Sequence, residues 1–359
     1  MNNRKIKKYR LLLILFGLWF FSSGNVSANN LTSRLLVPVY LTPSVYIGYD
    51  NNMFRMSENE MDEITMGSFL LGDAATFDSE IIRPSLTISY SPVLFSNNET
   101  NFLFTFARAQ FQHSKNKSYS SFSIKGEYHY GDYKWIKLKY SLQPSLHLRI
   151  YRDMDAVENE LNSCDFANET VYLYLSHPIL NKLWGSIYLR RVNQFYNQSF
   201  TEFDTEINSV KYDLYTKPWK KMKFSGWFET GEGDNTTFGS GYISTQFDRS
   251  YQFNRFGGKW ELELGGLIKS VKISIDVNDR MYKTEEENDP LHSGRSHRDT
   301  KYSMWISRDI NESIETEYYF RYRVRDIFSD YEWVEQLKSF HKFETGISIS
   351  FNTYLDLFY

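Results

Sequence analysis

From about residue 36 onward, apolar and polar side chains alternate with a period of two, which predicts half-buried β-strands rather than helices. The clearest stretch is 136–151. Ile136, Leu138, Tyr140, Leu142, Pro144, Leu146, Leu148 and Ile150 fall on one face, and Lys137, Lys139, Ser141, Gln143, Ser145, His147, Arg149 and Tyr151 on the other. That run is much longer than the usual strand of about six residues and suits a tilted bilayer crossing of about 9 to 11 residues. The pattern returns where Val271, Ile273, Ile275 and Val277 oppose Lys272, Ser274, Asp276, Asn278 and Arg280. It returns again where Ile314, Thr316, Tyr318, Phe320, Tyr322 and Val324 oppose Glu315, Glu317, Tyr319, Arg321, Arg323 and Arg325. No comparable stretch repeats at 3.6 residues. Period and turn residues together predict about fourteen strands, near 36–49, 81–94, 100–112, 118–130, 133–151, 169–177, 182–193, 206–216, 221–230, 255–265, 269–283, 299–308, 313–326 and 341–359.

The connections between these strands sort by length. The even-numbered ones are short, as at Gly131-Asp132 and Lys217-Pro218-Trp219-Lys220, while most odd-numbered ones are long and polar, as in 51–80, 152–168, 231–254 and 283–298. Ser114 to Lys117 is the tight exception. A soluble sandwich has no reason to alternate in this way, whereas a membrane barrel has short turns on one side and long loops on the other. Trp135, Trp184 and Trp219 fall near the short turns, where an interfacial belt of aromatics is expected.

Composition removes other classes. Aromatics make up 18% of 359 residues with only 8 Pro, which excludes collagen-like and low-complexity chains. Mean hydropathy of −0.50 and 24% charged residues exclude a polytopic helical membrane protein. At the start, Arg4, Lys5, Lys7, Lys8 and Arg10 lead into the apolar run 11–21 and then Val26-Ser27-Ala28. This is the plan of a cleaved secretory leader, so residues 1–28 are expected to be removed and 29–359 to form one exported domain. Removal leaves 36 basic against 44 acidic residues, a formal charge of −8 in place of −3. Such a chain has no electrostatic footprint for nucleic acid. Its one cysteine, Cys164, permits no internal disulfide and is expected to be an inert loop thiol.

The final segment sets Phe343, Thr345, Ile347, Ile349, Phe351, Thr353, Leu355, Leu357 and the terminal Tyr359 on one face. This resembles the C-terminal signature strand of Gram-negative outer-membrane β-barrel proteins, a porin-like class, with Tyr where Phe is commoner. The resemblance extends over the whole chain after the leader through its strand and loop pattern. It implies an all-β, transmembrane, antiparallel up-and-down barrel of about fourteen strands in the bacterial outer membrane, with short periplasmic turns and long extracellular loops. It also implies insertion by the outer-membrane assembly machinery through the strand ending at Tyr359, and surroundings of outer-membrane lipid and lipopolysaccharide.

On that plan the polar faces point inward, and the candidate pore-lining residues are Lys137, Lys139, His147, Arg149, Lys259, Glu261, Glu263, Glu315, Glu317, Arg321, Arg323, Arg325 and Glu344. Arg321, Arg323 and Arg325, about 7 Å apart along one strand, form a ladder suited to carboxylate or phosphate groups. Pairing with Glu261, Glu263 or Glu344 is the alternative use of the same groups. The expected role is passage of a polar or anionic small solute. An accessory barrel for exporting or assembling a surface polysaccharide or protein is the second reading, and a barrel-borne hydrolase the third. No GxSxG or HExxH motif and no phosphate-binding glycine loop is present, so no catalytic residue, metal site or cofactor is assigned. His292 and His297, and the acidic 285–289 stretch, are expected to be ordinary external-loop residues rather than metal ligands.

Overall fold

The computed structural model describes residues 34–64, 69–94, 98, 100–156 and 160–356. The expected leader and Tyr359 lie outside the described residues. Alternating side chains build β1 (Val39–Asp50), β2 (Ser79–Tyr90), β3 (Thr100–Phe111), β4 (Tyr119–Gly131), β5 (Lys134–Arg152), β6 (Leu161–Leu180), β7 (Leu183–Tyr196) and β8 (Thr205–Trp219). They continue as β9 (Met222–Asn235), β10 (Tyr251–Gly265), β11 (Ile268–Tyr282), β12 (Ser296–Asp309), β13 (Ile314–Phe328), β14 (Phe340–Phe351) and the short β15 (Thr353–Leu355). Each strand from β1 to β14 pairs antiparallel with its sequence neighbour, and β14 pairs with β1 from Ser44 opposite Ser350 to Asp50 opposite Glu344. The sheet is therefore a closed up-and-down barrel of fourteen strands, as the alternation predicts.

The short β15 continues β14 rather than adding to the barrel. It keeps the same register on β1, with Leu41 opposite Thr353 and Ser44 opposite Ser350. The interruption spans the positions opposite Pro43 and Thr42, and Pro43 has no N–H to give to the ladder. The terminal strand expected over 341–359 thus has a break at Asn352.

Large apolar side chains point outward and stay exposed, among them Phe106, Leu189, Ile275 and Tyr318. The strands also run beyond a bilayer's needs at the loop end. β5 and β6 have 19 and 20 residues, against about 9 to 11 for a crossing. As a result β6 begins at Leu161 and the long loop expected over 152–168 shortens to 153–160. Between β5 and β6 the register slips twice, between Gln143 and Leu146 and between His147 and Arg149. Two single-residue bulges restore parity, so Arg149 stays on the same face as Lys137 and Lys139. Cys164 corrects the loop expectation: it is buried in β6 opposite Arg149.

The aromatic belt is corrected in part. Trp219 is 63% exposed, but Trp135 shares the inward face of Lys137 and stacks on His129 at 4.3 Å. Trp184 shares the inward face of Ser186 and Tyr188. Where rings lie flat on the inner wall, the strand beneath carries glycine. A Cβ on Gly257 would overlap the Trp227 ring and the Ile275 carbonyl, and one on Gly48 would overlap Tyr46.

Candidate functional site

The first loop folds inward at the long-loop end instead of standing away from the barrel. Its helix α1 (Glu58–Ile64) begins with a reciprocal cap: Ser57 Oγ accepts from Glu60 N at 3.2 Å, and Glu60 Oε2 accepts from Ser57 N at 3.0 Å. Met53, Phe54 and Met56 are buried, with Met61, Leu70, Leu71 and Phe77 packed around them. Loop 1 starts after β1 and ties itself to β5, four strands away. Arg149 Nη1 donates to Glu60 Oε1 at 2.7 Å, and Nη2 donates to the Phe54 and Arg55 carbonyls at 3.1 Å each. At its root Lys342 of β14 donates to Asp50 at 2.6 Å. Both ion pairs have side chains no more than 9% exposed. Removing one partner of such a pair costs about 3–5 kcal/mol, because the other charge is left buried alone.

Lys117, from the tight connection between β3 and β4, completes the anchor. Its ammonium donates to the His147 and Leu148 carbonyls at 2.9 Å each and lies 4.9 Å from the centre of the Phe54 ring. Burial, then the charges of Arg55, Lys342 and Arg149, hold that ammonium well below the ordinary lysine value. Arg55 takes a left-handed backbone, φ 56°. It lies within electrostatic reach of Arg323, Arg325 and Asp299 on β12 and β13. Loop 1 therefore brings charges from both walls towards one level near the outer mouth.

Along the wall, opposite charges alternate from strand to strand. Arg190 meets Glu229 at 2.7 Å, Arg255 meets Asp276 at 2.8 Å, and Lys301 meets Asp276 at 3.7 Å. Asp299 takes both Arg323, with Nε donating at 2.7 Å, and Arg325, with Nη2 donating at 2.8 Å. In these pairs the basic side chains are partly open to the interior, while the carboxylates of Glu229, Asp276 and Asp299 are 1%, 10% and 3% exposed. Together the pairs shape the interior potential. By strand register, seventeen Lys and Arg against twelve Asp and Glu point inward. The whole chain has formal charge −3, so basic groups are concentrated inside.

Each residue picked from sequence has a definite place. Lys137 meets Glu127 at 2.9 Å, a carboxylate it shares with Lys125, while Lys139 has no acidic partner among the described residues. Lys259 lies 5.8 Å from the Trp305 ring centre. Glu261 and Glu263 share Lys223, at 3.1 and 2.8 Å. Glu315 meets Lys269 at 3.5 Å and Glu317 meets Lys272 at 3.4 Å. Of the arginine ladder, Arg321 approaches Glu344 at 4.0 Å, whereas Arg323 and Arg325 go to Asp299 and not to Glu261 or Glu263. His147 and Arg149 hold loop 1: the His147 imidazole is 1% exposed, packed edge-on to Phe54, with Nδ1 3.0 Å from Asp165.

Three charged positions in these contacts, Asp299, Asp50 and Glu60, escaped the sequence reading. Asp299 sits on the same alternating face as Lys301 and was the available signal for a ladder counter-ion. Asp50 fell between the expected first strand and the expected loop, and Glu60 lay in what read as a polar loop, yet Ser57-x-x-Glu60 is a capping-box spacing and marks a helix start. His292 and Asp289 meet at 2.9 Å within the loop after β11.

No family model matches the chain, and no curated protein sequence matches it. Among solved structures it is similar to an anion-selective porin from Comamonas acidovorans (10% identity, 88% of this chain and 98% of that one, TM-score 0.41). It is also similar to the outer membrane channel DcaP of Acinetobacter baumannii (10%, 88% and 97%, 0.46) and to OmpT, an outer membrane protein of Vibrio cholerae (7%, 88% and 97%, 0.45). These likenesses are slight. The barrel assignment rests on the strand pairing and on the apolar outer and polar inner faces described above, the design of an outer-membrane β-barrel.

Proposed function

We propose that this chain is an outer-membrane channel, porin-like in plan, that passes polar solutes with a preference for anions. The leader ends at Ala28, the exported remainder is one barrel domain, the C-terminal segment ending in Tyr359 is read by the assembly machinery, and the outer face sits in lipid and lipopolysaccharide. The observation that carries the reading is the excess of inward Lys and Arg in a chain that is acidic overall. The rows Arg190–Glu229–Arg255–Asp276 and Asp299–Arg323–Arg325 supply fixed counter-charges along the wall, and loop 1 narrows the mouth above them.

The test is reversal potential across planar bilayers with purified protein, for wild type and for the triple variant Arg321→Ala, Arg323→Ala, Arg325→Ala. The expected result is an anion-leaning current whose selectivity weakens in the variant. Selectivity should also weaken between 0.1 M and 1 M salt, as the Debye length falls from about 10 to about 3 Å. A cation-selective wild-type current would refute it. The docking of loop 1 supports a second reading, a barrel that stays shut until a periplasmic partner of an export or assembly system engages it. A correctly folded, silent barrel is its expected signature.

A further inference from the structure

We propose that the wall from β5 to β9 is a binding track for an acidic oligosaccharide, so that the channel's solute class is an oligomer of uronate-bearing sugars. This deepens the channel reading and rests on it for transport, though not for binding. The track is a contact chain of rings and ammonium groups on inward positions. Lys137 Nζ lies 4.8 Å from the centre of the Trp135 ring and 5.2 Å from that of Tyr174. Tyr174 meets Tyr188 at 4.6 Å, edge to face. Lys211 Nζ then lies 5.0 Å from the Tyr188 centre and 5.3 Å from that of Trp227. Trp227 lies flat on the wall because its neighbour across the ladder is Gly257.

The chemistry selects among ligands. Flat or edge-on rings half-exposed to the interior suit the apolar C–H faces of pyranose rings, and a small inorganic anion has no use for them. The basic groups argue against a neutral sugar. Lys139 has no acidic partner among the described residues, and Lys125 and Lys137 share the single carboxylate of Glu127, so positive charge is left over beside the rings. Length argues for an oligomer: five strands at about 4.8 Å spacing give a track of about 19 Å, several sugar rings long.

The experiment is a titration of the folded barrel in detergent micelles, followed by calorimetry and tryptophan emission. The probes are a galacturonate hexamer, galacturonic acid, maltohexaose and sulfate. The hexamer is expected to bind at least ten times more tightly than any of the other three. The paired variants Tyr174→Leu with Tyr188→Leu, and Lys137→Gln with Lys139→Gln, are each expected to weaken it at least tenfold. Heat-modified gel mobility shows which variants have folded. Should either fail, the same comparison of the four probes as blockers of wild-type current replaces it, with the hexamer expected to block at the lowest concentration. Equal affinity for maltohexaose or for sulfate, or no hexamer binding to folded wild type, overturns the proposal. Tight hexamer binding by a barrel that passes no current supports the track and overturns the channel reading instead.

Discussion

Breaking the Arg149–Glu60 pair separates a docked first loop from one that merely covers the mouth. The pair is 2.7 Å long with side chains 9% and 7% exposed, and Arg149 also holds the Phe54 and Arg55 carbonyls. Changing Arg149 to Met keeps an unbranched apolar stem without the guanidinium and leaves the Glu60 carboxylate buried without its partner. The cost expected for such a half-removed pair is about 3–5 kcal/mol. At about 1.4 kcal/mol per tenfold change, the lower figure raises the undocked population of loop 1 about a hundredfold. Glu60→Leu should cost a comparable amount by stranding the guanidinium. The double variant Arg149→Met with Glu60→Leu should recover much of the loss, since no lone charge then remains and two apolar groups face each other. Hydrogen exchange of the amides of Asn52 to Ile64 reads the population, and single-channel conductance reads its effect on the mouth. Both single variants should exchange faster and spend more time at a higher conductance level, with the double closer to wild type. Unchanged exchange in Arg149→Met, or a double variant worse than both singles, would refute the anchoring argument.

Other consequences can be measured separately. Asp299→Asn removes the carboxylate shared by Arg323 and Arg325, so the reversal potential should move further towards anions; a move towards cations would contradict the proposed field. Gly257→Ala places a Cβ against the Ile275 carbonyl and the Trp227 ring. The overlap should cost about 1–3 kcal/mol, seen as a lower temperature of heat modification, and Trp227 emission should shift. His292 titrates below the ordinary value of 6.5, because burial outweighs the opposing hydrogen bond to Asp289, with Arg295 and Arg249 adding to the lowering. Below about pH 6.5 the unfolded chain therefore binds more protons than the folded one, and stability is lost as pH falls through that range. Protease cleavage in the loop after β11 should speed up on acidification in wild type, and the acid dependence should flatten in His292→Gln.

Alternation and turn residues together located the fourteen strands and the two faces of each, though not all of their ends, because a residue's face in a strand follows from parity. Parity alone puts Lys137, Lys139, Glu261, Glu317 and Arg321 on the polar face of their strands. It survived even the two bulges of β5, since two insertions cancel. Pro43 and Gly257 also carried local information, one breaking the terminal ladder and the other making room for a ring.

What parity does not contain is distance across the barrel. Arg323 and Arg325 share the one carboxylate of Asp299 on the neighbouring strand and do not meet Glu261 or Glu263, because adjacent-strand register decides which side chains meet. His147 and Arg149 read as two more inward groups of a regular strand, yet they anchor loop 1. That loop crosses from β1 to β5 through contacts that are short in space and about ninety residues apart in sequence. Trp135 and Trp184 read as interfacial because they lie near turns, but the face of their strands turns them inward. The sequence determined the wall, and only closure of the barrel decided which charges on that wall remain unpaired and what the first loop covers.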